Sequence, residues 1–143
     1  MGTTAPIVEG LFTWPAEAPR LVGGRCTACE TITFPRQSAC PRCGAQPLVE
    51  RLLARRGQLW AWTTQDFPPP APPFAGAAGR DFKPFGVGYV ELPDELRVEA
   101  RLTEHRPDRL RIGMEMELAI VPFGTDDAGN ELVTFAFRPV DEA

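Results

Sequence analysis

All four cysteines of this 143-residue chain lie in one short stretch, arranged as two Cys-X-X-Cys pairs. Cys26 and Cys29 form the first pair, Cys40 and Cys43 form the second, and ten residues separate the two pairs. Each pair can turn its two sulfur atoms toward one point, so together they supply four thiolates for a tetrahedral metal ion. The single histidine, His105, is distant in sequence. The expected ligand set is therefore all sulfur, which favours a closed structural zinc site over a catalytic one.

Three other interpretations of the cysteines stay open at this point. Disulfides are one, although residues 1–19 contain no Lys or Arg and no long apolar run, so no secretory signal is predicted. A thioredoxin-like redox motif needs a single pair within a βαβ pattern, and neither pair has one. Iron in a rubredoxin-like site suits the same sulfurs and would make the chain an electron carrier. Gly44 after the second pair favours a metal knuckle, because glycine adopts positive φ without steric cost; Glu30 takes the equivalent position after the first pair.

Charge and hydropathy narrow the range of expected partners. Fifteen basic and nineteen acidic residues give a formal net charge of −4. Nucleic-acid binders normally carry a basic surplus that neutralises phosphates, so no nucleic-acid partner is expected. No apolar stretch of the chain is long enough to span a bilayer. We therefore predict a cytoplasmic protein without a membrane partner.

Alternation of apolar and polar residues predicts five antiparallel strands after the cysteines. In the first of them, Leu59 and Ala61 are expected on one face, and Trp60 and Trp62 on the other. Closing short strands into a barrel removes the exposed edges that they would otherwise present. The connection between the third and fourth strands has room for at most one or two helical turns. The predicted fold class is mainly β, with an N-terminal zinc ribbon followed by a five-stranded OB-fold barrel. The predicted barrel strands cover residues 57–64, 86–92, 96–102, 114–121 and 131–137.

The chain divides into three predicted units. The first is an irregular arm in which prolines break any helix, and its Phe12 and Trp14 either pack on the chain's own core or dock on another subunit. A proline-rich loop interrupts the barrel, and a long loop inside a compact domain is usually functional or disordered. We favour contact between this loop and a partner or ligand. The predicted units are residues 1–20 for the arm, 21–50 for the rubredoxin-like zinc ribbon and 51–143 for the OB-fold domain, with the proline-rich loop at 66–83.

The order of the motifs along the chain resembles that of one protein family. The motifs are LVGGRCTAC at residues 21–29, FPR at 34–36, CPRCG at 40–44, GQLWAWT at 57–63, PFGVGYVEL at 84–92 and LRIGM at 110–114. This combination resembles the acyl-CoA-associated OB-fold family with an N-terminal rubredoxin-like zinc ribbon, long known as domain of unknown function number thirty-five. The resemblance covers nearly the whole chain, and it is far more specific than the cysteine spacing alone.

The resemblance implies a non-catalytic, zinc-binding accessory subunit of a thiolase-fold enzyme, either an aldolase or a thiolase, that acts on acyl-CoA. In such a role the chain stabilises its partner and helps to form the acyl-CoA channel. The Gly-Leu-Phe-Thr-Trp segment of the arm looks most like the branch of steroid side-chain degradation. The implied ligands are a structural Zn²⁺ and acyl-CoA. The implied assembly is a hetero-oligomer with a thiolase-like subunit, for example α2β2.

The reactive side chains of the sequence fit a non-catalytic role. His105 lies in a charged connection and Ser38, the single serine, lies in the ribbon, so no Ser-His-Asp grouping is expected. We therefore expect no catalytic residues of its own. For contact with CoA or its channel, the candidates are Arg80, Lys83 and Phe85 at the end of the proline-rich loop. Arg and Lys bind phosphates and aromatic rings pack against adenine, although ordinary surface charges remain an equal alternative.

The alternative function is that of a single-stranded nucleic-acid-binding protein, because OB-folds and zinc ribbons both serve that purpose. Trp60 and Trp62 would then act as stacking platforms for bases. The acidic net charge weighs against this function.

Overall fold

The structure, a computed structural model, describes residues 4–46, 48–67 and 82–140. Most of the proline-rich loop, including Arg80, lies outside these residues. Within them, regular structure consists of nine strands and one 3₁₀ turn, and no helix there is long and apolar enough to cross a membrane. The elements are β1 (Thr4–Pro6), β2 (Val22–Arg25), β3 (Ile32–Thr33), β4 (Val49–Leu52), β5 (Arg56–Gln65), β6 (Phe85–Glu91), β7 (Arg97–Leu102), the 3₁₀ turn (Pro107–Arg109), β8 (Glu115–Thr125) and β9 (Glu131–Pro139).

Five of the strands close into a barrel in the order β9-β7-β6-β5-β8, with β8 pairing back to β9. Strands β7 and β9 run parallel, and the other barrel pairs are antiparallel. This is the five-stranded Greek-key arrangement of the OB-fold, so the predicted fold class is confirmed. The barrel interior is filled by the inward residues of the alternating pattern, which are almost completely buried: Leu59, Val90, Val98, Met116, Leu118 and Phe137.

The alternation predicted for β5 breaks at Trp60. Leu59 pairs with Val90 but Ala61 pairs with Tyr89, so the register between β5 and β6 shifts and Trp60 is an extra residue. Such a β-bulge moves the following residues to the opposite face. As a result, Trp62 packs against the barrel core while Trp60 stays 47% exposed. The expectation that both tryptophans share one face is wrong for this reason.

The N-terminal part of the chain forms a second, three-stranded sheet with the order β3-β2-β4. The sequence pattern did not predict β4, which pairs with β2, nor β1, which pairs parallel with the first three residues of β9. Both strands are short. Pairing with a neighbouring strand stabilises them more than the strand propensity of their own residues does. The arm packs on the chain's own core, because Phe12 is buried and bridges to Leu21.

Candidate metal centre and ligand groove

The two cysteine knuckles have the same backbone geometry. In the first, Cys26 N–H donates to the Thr31 carbonyl and Glu30 N–H donates to the Cys26 carbonyl. In the second, Cys40 N–H donates to the Ala45 carbonyl and Gly44 N–H donates to the Cys40 carbonyl, in the same relative positions. The residue four positions after the first cysteine of each knuckle has positive φ, 64° at Glu30 and 77° at Gly44. The positive φ predicted for Gly44 is confirmed, and Glu30 adopts this less favourable conformation in its place.

The four cysteine sulfur atoms lie within 4.8 Å of one another. Cys26 Sγ is 3.5 Å from Cys43 Sγ, and Cys29 Sγ is 3.6 Å from Cys40 Sγ. Zinc–sulfur bonds of about 2.3 Å in a tetrahedron separate the sulfurs by about 3.8 Å. These distances are much longer than a disulfide bond of about 2.0 Å, and all four cysteines are free. The cysteines are therefore positioned for metal binding.

Hydrogen bonds and sulfur neighbours affect the ionisation of the cysteines differently. The Thr31 hydroxyl, 3.1 Å from Cys29 Sγ, lowers the pKa of Cys29 to about 6. The Ala45 N–H lowers the pKa of Cys43, but the adjacent sulfurs of Cys26 and Cys29 raise it, with a net result of about 12. Four adjacent thiolates repel one another unless a cation balances them. The donor set is thus suited to a divalent, thiophilic ion such as zinc.

The ribbon is anchored to the barrel by apolar and ionic contacts. Leu21 and Leu53, at the ends of the ribbon sheet, are fully buried in the same core as the barrel strands. Phe34 packs edge-on against Phe135 of β9, with ring centroids 5.4 Å apart. Arg51 forms a 2.8 Å salt bridge with Glu95 of the β6–β7 hairpin. The metal knuckles therefore sit at the end of a small sheet that shares its core with the barrel.

A groove with a volume of about 390 Å³ lies on the outside of the barrel, at the end where β5 enters the proline-rich loop. Phe85, one of the predicted CoA contacts, lines it, and Lys83 is exposed two residues earlier. The guanidinium carbon of Arg101 lies 3.8 Å from the centroid of the Phe85 ring and 5.7 Å from that of Phe123. The groove is lined by Gln65, Phe85, Val87, Glu99, Ala100, Arg101, Phe123, Thr134 and Phe135.

Arg101 is a groove residue that the sequence reasoning missed. The alternation of β7 places it outward, but nothing in its own segment brings an aromatic ring onto it. The register of the β6–β7 hairpin does so, because Arg101 pairs with Val87, two residues from Phe85. The tight turn at residues 93–95 fixes the register of this hairpin, so the pairing of Arg101 with Val87 could have been predicted from the sequence.

A second group of outward aromatic side chains lies further along the same strands. The Arg97 guanidinium covers the Trp60 ring at 3.9 Å, and Tyr89 packs edge-on against that ring at 6.1 Å. The Tyr89 hydroxyl donates to Glu99 at 2.9 Å, which raises the pKa of Tyr89. The sequence offered Trp60 and Trp62 as stacking platforms for bases. Trp60 is exposed, but Arg97 covers its ring, and Trp62 packs against the barrel core.

The polar residues that the sequence raised as catalytic candidates lie apart from one another. Ser38 and His105 are both exposed, Ser38 in the ribbon and His105 after β7. Glu117, in β8, is largely covered, with 12% of its side chain exposed. It forms a hub of salt bridges with three arginines, Arg55, Arg56 and Arg138.

The chain matches two domain families along its length. Residues 13–49 match the rubredoxin-like zinc ribbon domain of ChsH2, and residues 50–121 match the C-terminal OB-fold domain of ChsH2. The chain belongs to the ChsH2, or DUF35, family. This membership confirms the resemblance found in the sequence, and it agrees with the cysteine knuckles and the barrel observed here.

Several relatives match most of the chain. Subunit BbsA of the benzoylsuccinyl-CoA thiolase of Thauera aromatica is 33% identical over 123 residues, which cover 86% of this chain and 78% of BbsA. A DUF35 domain-containing scaffold protein of Pyrococcus furiosus is 30% identical over 125 residues, covering 87% of this chain and 86% of the relative. The solved structure of an Ltp2-ChsH2(DUF35) aldolase contains a chain that is 31% identical, with a TM-score of 0.60 and 84% of each chain covered.

Proposed function

We propose that this chain is a non-catalytic subunit of a thiolase or aldolase complex that acts on acyl-CoA. The observation that carries the proposal is the similarity, over 84% of both chains, to a chain of the Ltp2-ChsH2(DUF35) aldolase. The relationship to a thiolase subunit supports the same class of partner. The placement of the reactive side chains agrees with it, since Ser38 and His105 are exposed in different parts of the fold.

The metal centre has a structural role in this proposal. Cys26, Cys29, Cys40 and Cys43 hold one Zn²⁺ with four sulfur ligands and no open coordination position. The sulfur separations of 3.5 and 3.6 Å support this assignment. Zinc, when bound, supplies folding free energy to the ribbon, and the four cysteines supply charge and geometry. Reduced thiols of this kind persist in the cytoplasm, where we place the complex.

The barrel contributes to the acyl-CoA channel in this proposal. Lys83 and Phe85 lie where the proline-rich loop returns to the barrel, and Phe85 lines the groove. An aromatic ring beside a cation suits the adenine and phosphates of CoA. We extend the same role to Arg80, whose position lies outside the described residues. The finer proposal, a substrate of steroid side-chain degradation, is supported by the sequence of the arm and by the similarity to an aldolase chain.

Co-expression with a thiolase-like protein from the same organism tests the proposed function. A tagged copy of this chain should retain the untagged partner during purification, and the two should elute together in size-exclusion chromatography. The partner expressed alone should be less stable or less active on its acyl-CoA. Two proteins that migrate separately, with the enzyme fully active alone, would refute the proposal. Turnover of a thioester by the isolated chain would refute the non-catalytic assignment.

A further inference from the structure

Arg101, on the outward face of β7, carries a positive charge that lies between aromatic rings. Its guanidinium is half-buried, and it lies against the Phe85 ring with Phe123 on a second side. This burial lowers the pKa of Arg101, although arginine stays charged at any physiological pH. These aromatic contacts restrict the orientation of the guanidinium. The guanidinium is planar and carries five N–H donors.

Arg101 has no carboxylate partner among the residues that the structure describes. The other arginines on these barrel faces do: Arg97 pairs with Glu91 at 2.9 Å, and Arg55 pairs with Glu117 at 3.3 Å. The acid nearest to Arg101 along its own strand face is Glu99, whose carboxylate accepts the hydroxyl hydrogen of Tyr89 at 2.9 Å. A half-buried guanidinium has lost part of its hydration, so donors that pair with no carboxylate of the described residues favour an incoming anion.

The groove around Arg101 has the size and position of a small-ligand site. Its volume of about 390 Å³ falls within the range of about 300–1,000 Å³ that is usual for such sites. Apolar surface from Val87 and Phe135 and polar groups from Gln65 and Thr134 line it together. The groove lies on β6 and β7, the second and third barrel strands, beside the loop that joins the first two. OB-folds that bind oligonucleotides or oligosaccharides use the face of their second and third strands and the loop between their first and second strands.

We propose that Arg101 binds a phosphate group of CoA in this groove, with Phe85 and Phe123 holding its guanidinium in place. The inference rests on the proposed function, which supplies the class of ligand. CoA carries its negative charge as phosphates at the nucleotide end, and the planar guanidinium can donate two parallel hydrogen bonds to a phosphate. The apolar walls of the groove contact the uncharged part of the ligand next to that phosphate. Arg101 therefore recognises the carrier and makes no contact with the acyl group.

Calorimetric titration of the full chain with CoA and with pantetheine tests the inference, because pantetheine lacks the nucleotide phosphates. Arg101→Gln removes the charge and keeps a side chain of similar length. We expect it to weaken CoA binding about tenfold or more and to leave pantetheine binding unchanged. The matched control is Arg97→Gln, since Arg97 lies on the same face of β7 and also covers an aromatic ring but pairs with Glu91. CoA affinity in this control should stay within about twofold of the parent.

The possible outcomes separate this inference from the proposed function. Arg101→Gln should still elute with the thiolase-like partner, because the inference concerns a ligand contact. If the complex forms and Arg101→Gln binds CoA as tightly as the parent, the inference is overturned and the proposed function stands. Equal losses for CoA and pantetheine, or no CoA binding by the parent chain at millimolar concentration, would overturn it as well. Arg101-dependent CoA binding by a chain that forms no complex would support the inference and refute the proposed function.

Discussion

Replacing Cys40 by serine perturbs the metal centre at one of its two buried sulfurs. Cys40 is 3% exposed, and its Sγ accepts the N–H groups of Arg42 and Cys43 at 3.4 and 3.5 Å. A serine hydroxyl stays protonated at neutral pH and is a poor ligand for zinc in a sulfur site. The substitution therefore leaves three thiolates and an open coordination position where a closed site is expected.

The expected loss follows from the small apolar core of the ribbon. The buried cluster around the knuckles contains three side chains, those of Cys26, Cys40 and Leu48. Of these three, Leu48 is the hydrocarbon side chain, and its burial contributes about 1.5–3 kcal/mol. Structural zinc supplies about 10–16 kcal/mol of binding free energy in zinc-finger peptides at neutral pH. The metal is thus the larger contribution, and we expect Cys40→Ser to lose most of its zinc and to unfold the knuckles while the barrel persists on its own core.

Elemental analysis and thermal unfolding measure this prediction together. The parent chain should hold about one zinc per chain, as a tetrahedral all-thiolate site requires, and a chelator should lower its first unfolding transition. Cys40→Ser should resemble the chelated parent. Ser38→Ala, an exposed position in the same loop, serves as the control and should behave as the parent does. Full zinc content and an unchanged unfolding curve in Cys40→Ser would refute the reasoning, and a visible absorption band in the parent would identify iron in place of zinc.

Two further substitutions examine the barrel. In Gly88→Ala the new Cβ would lie 2.6 Å from the Ala61 carbonyl oxygen. Because the strands must move apart to avoid this clash, we expect urea denaturation to show a loss of about 2 kcal/mol in the free energy of unfolding. The control Thr63→Ala, on the exposed surface, should lose less than about 0.5 kcal/mol. Burial raises the pKa of Glu117, but the hydrogen bond from Arg56 and the charges of the surrounding arginines lower it more, so its folded pKa lies below its unfolded one. Its stabilisation is therefore present above the unfolded pKa and is lost as pH falls through the folded pKa. Glu117→Gln should cost about 1–2 kcal/mol at pH 7 and flatten the acid side of the stability profile; a profile that stays as steep as that of the parent would contradict this role of the salt bridges.

The sequence by itself predicted the cysteine knuckles and the barrel strands, because residues close together in the chain specify both. Two pairs of cysteines at short spacing bring four sulfurs together almost independently of the rest of the chain, because each knuckle is closed by hydrogen bonds within a few residues. The five barrel strands follow from alternation, since one face of each must be buried. The family resemblance rests on the same motifs, and the match of residues 13–49 and 50–121 confirms it.

Contacts between distant segments were decided by the tertiary structure alone. The bulge at Trp60 places the two tryptophans on different faces, because the pairing of β5 with β6 shifts register between Leu59 and Ala61. Glu117 is covered because Arg55 and Arg56, at the start of β5, and Arg138 of β9 converge on it. Arg101 acquired its aromatic support from β6 and β8, which the sequence separates from it by more than ten residues. An amino-acid pattern determines which face of a strand is apolar, but side chains from other strands determine what each polar residue on the outer face meets.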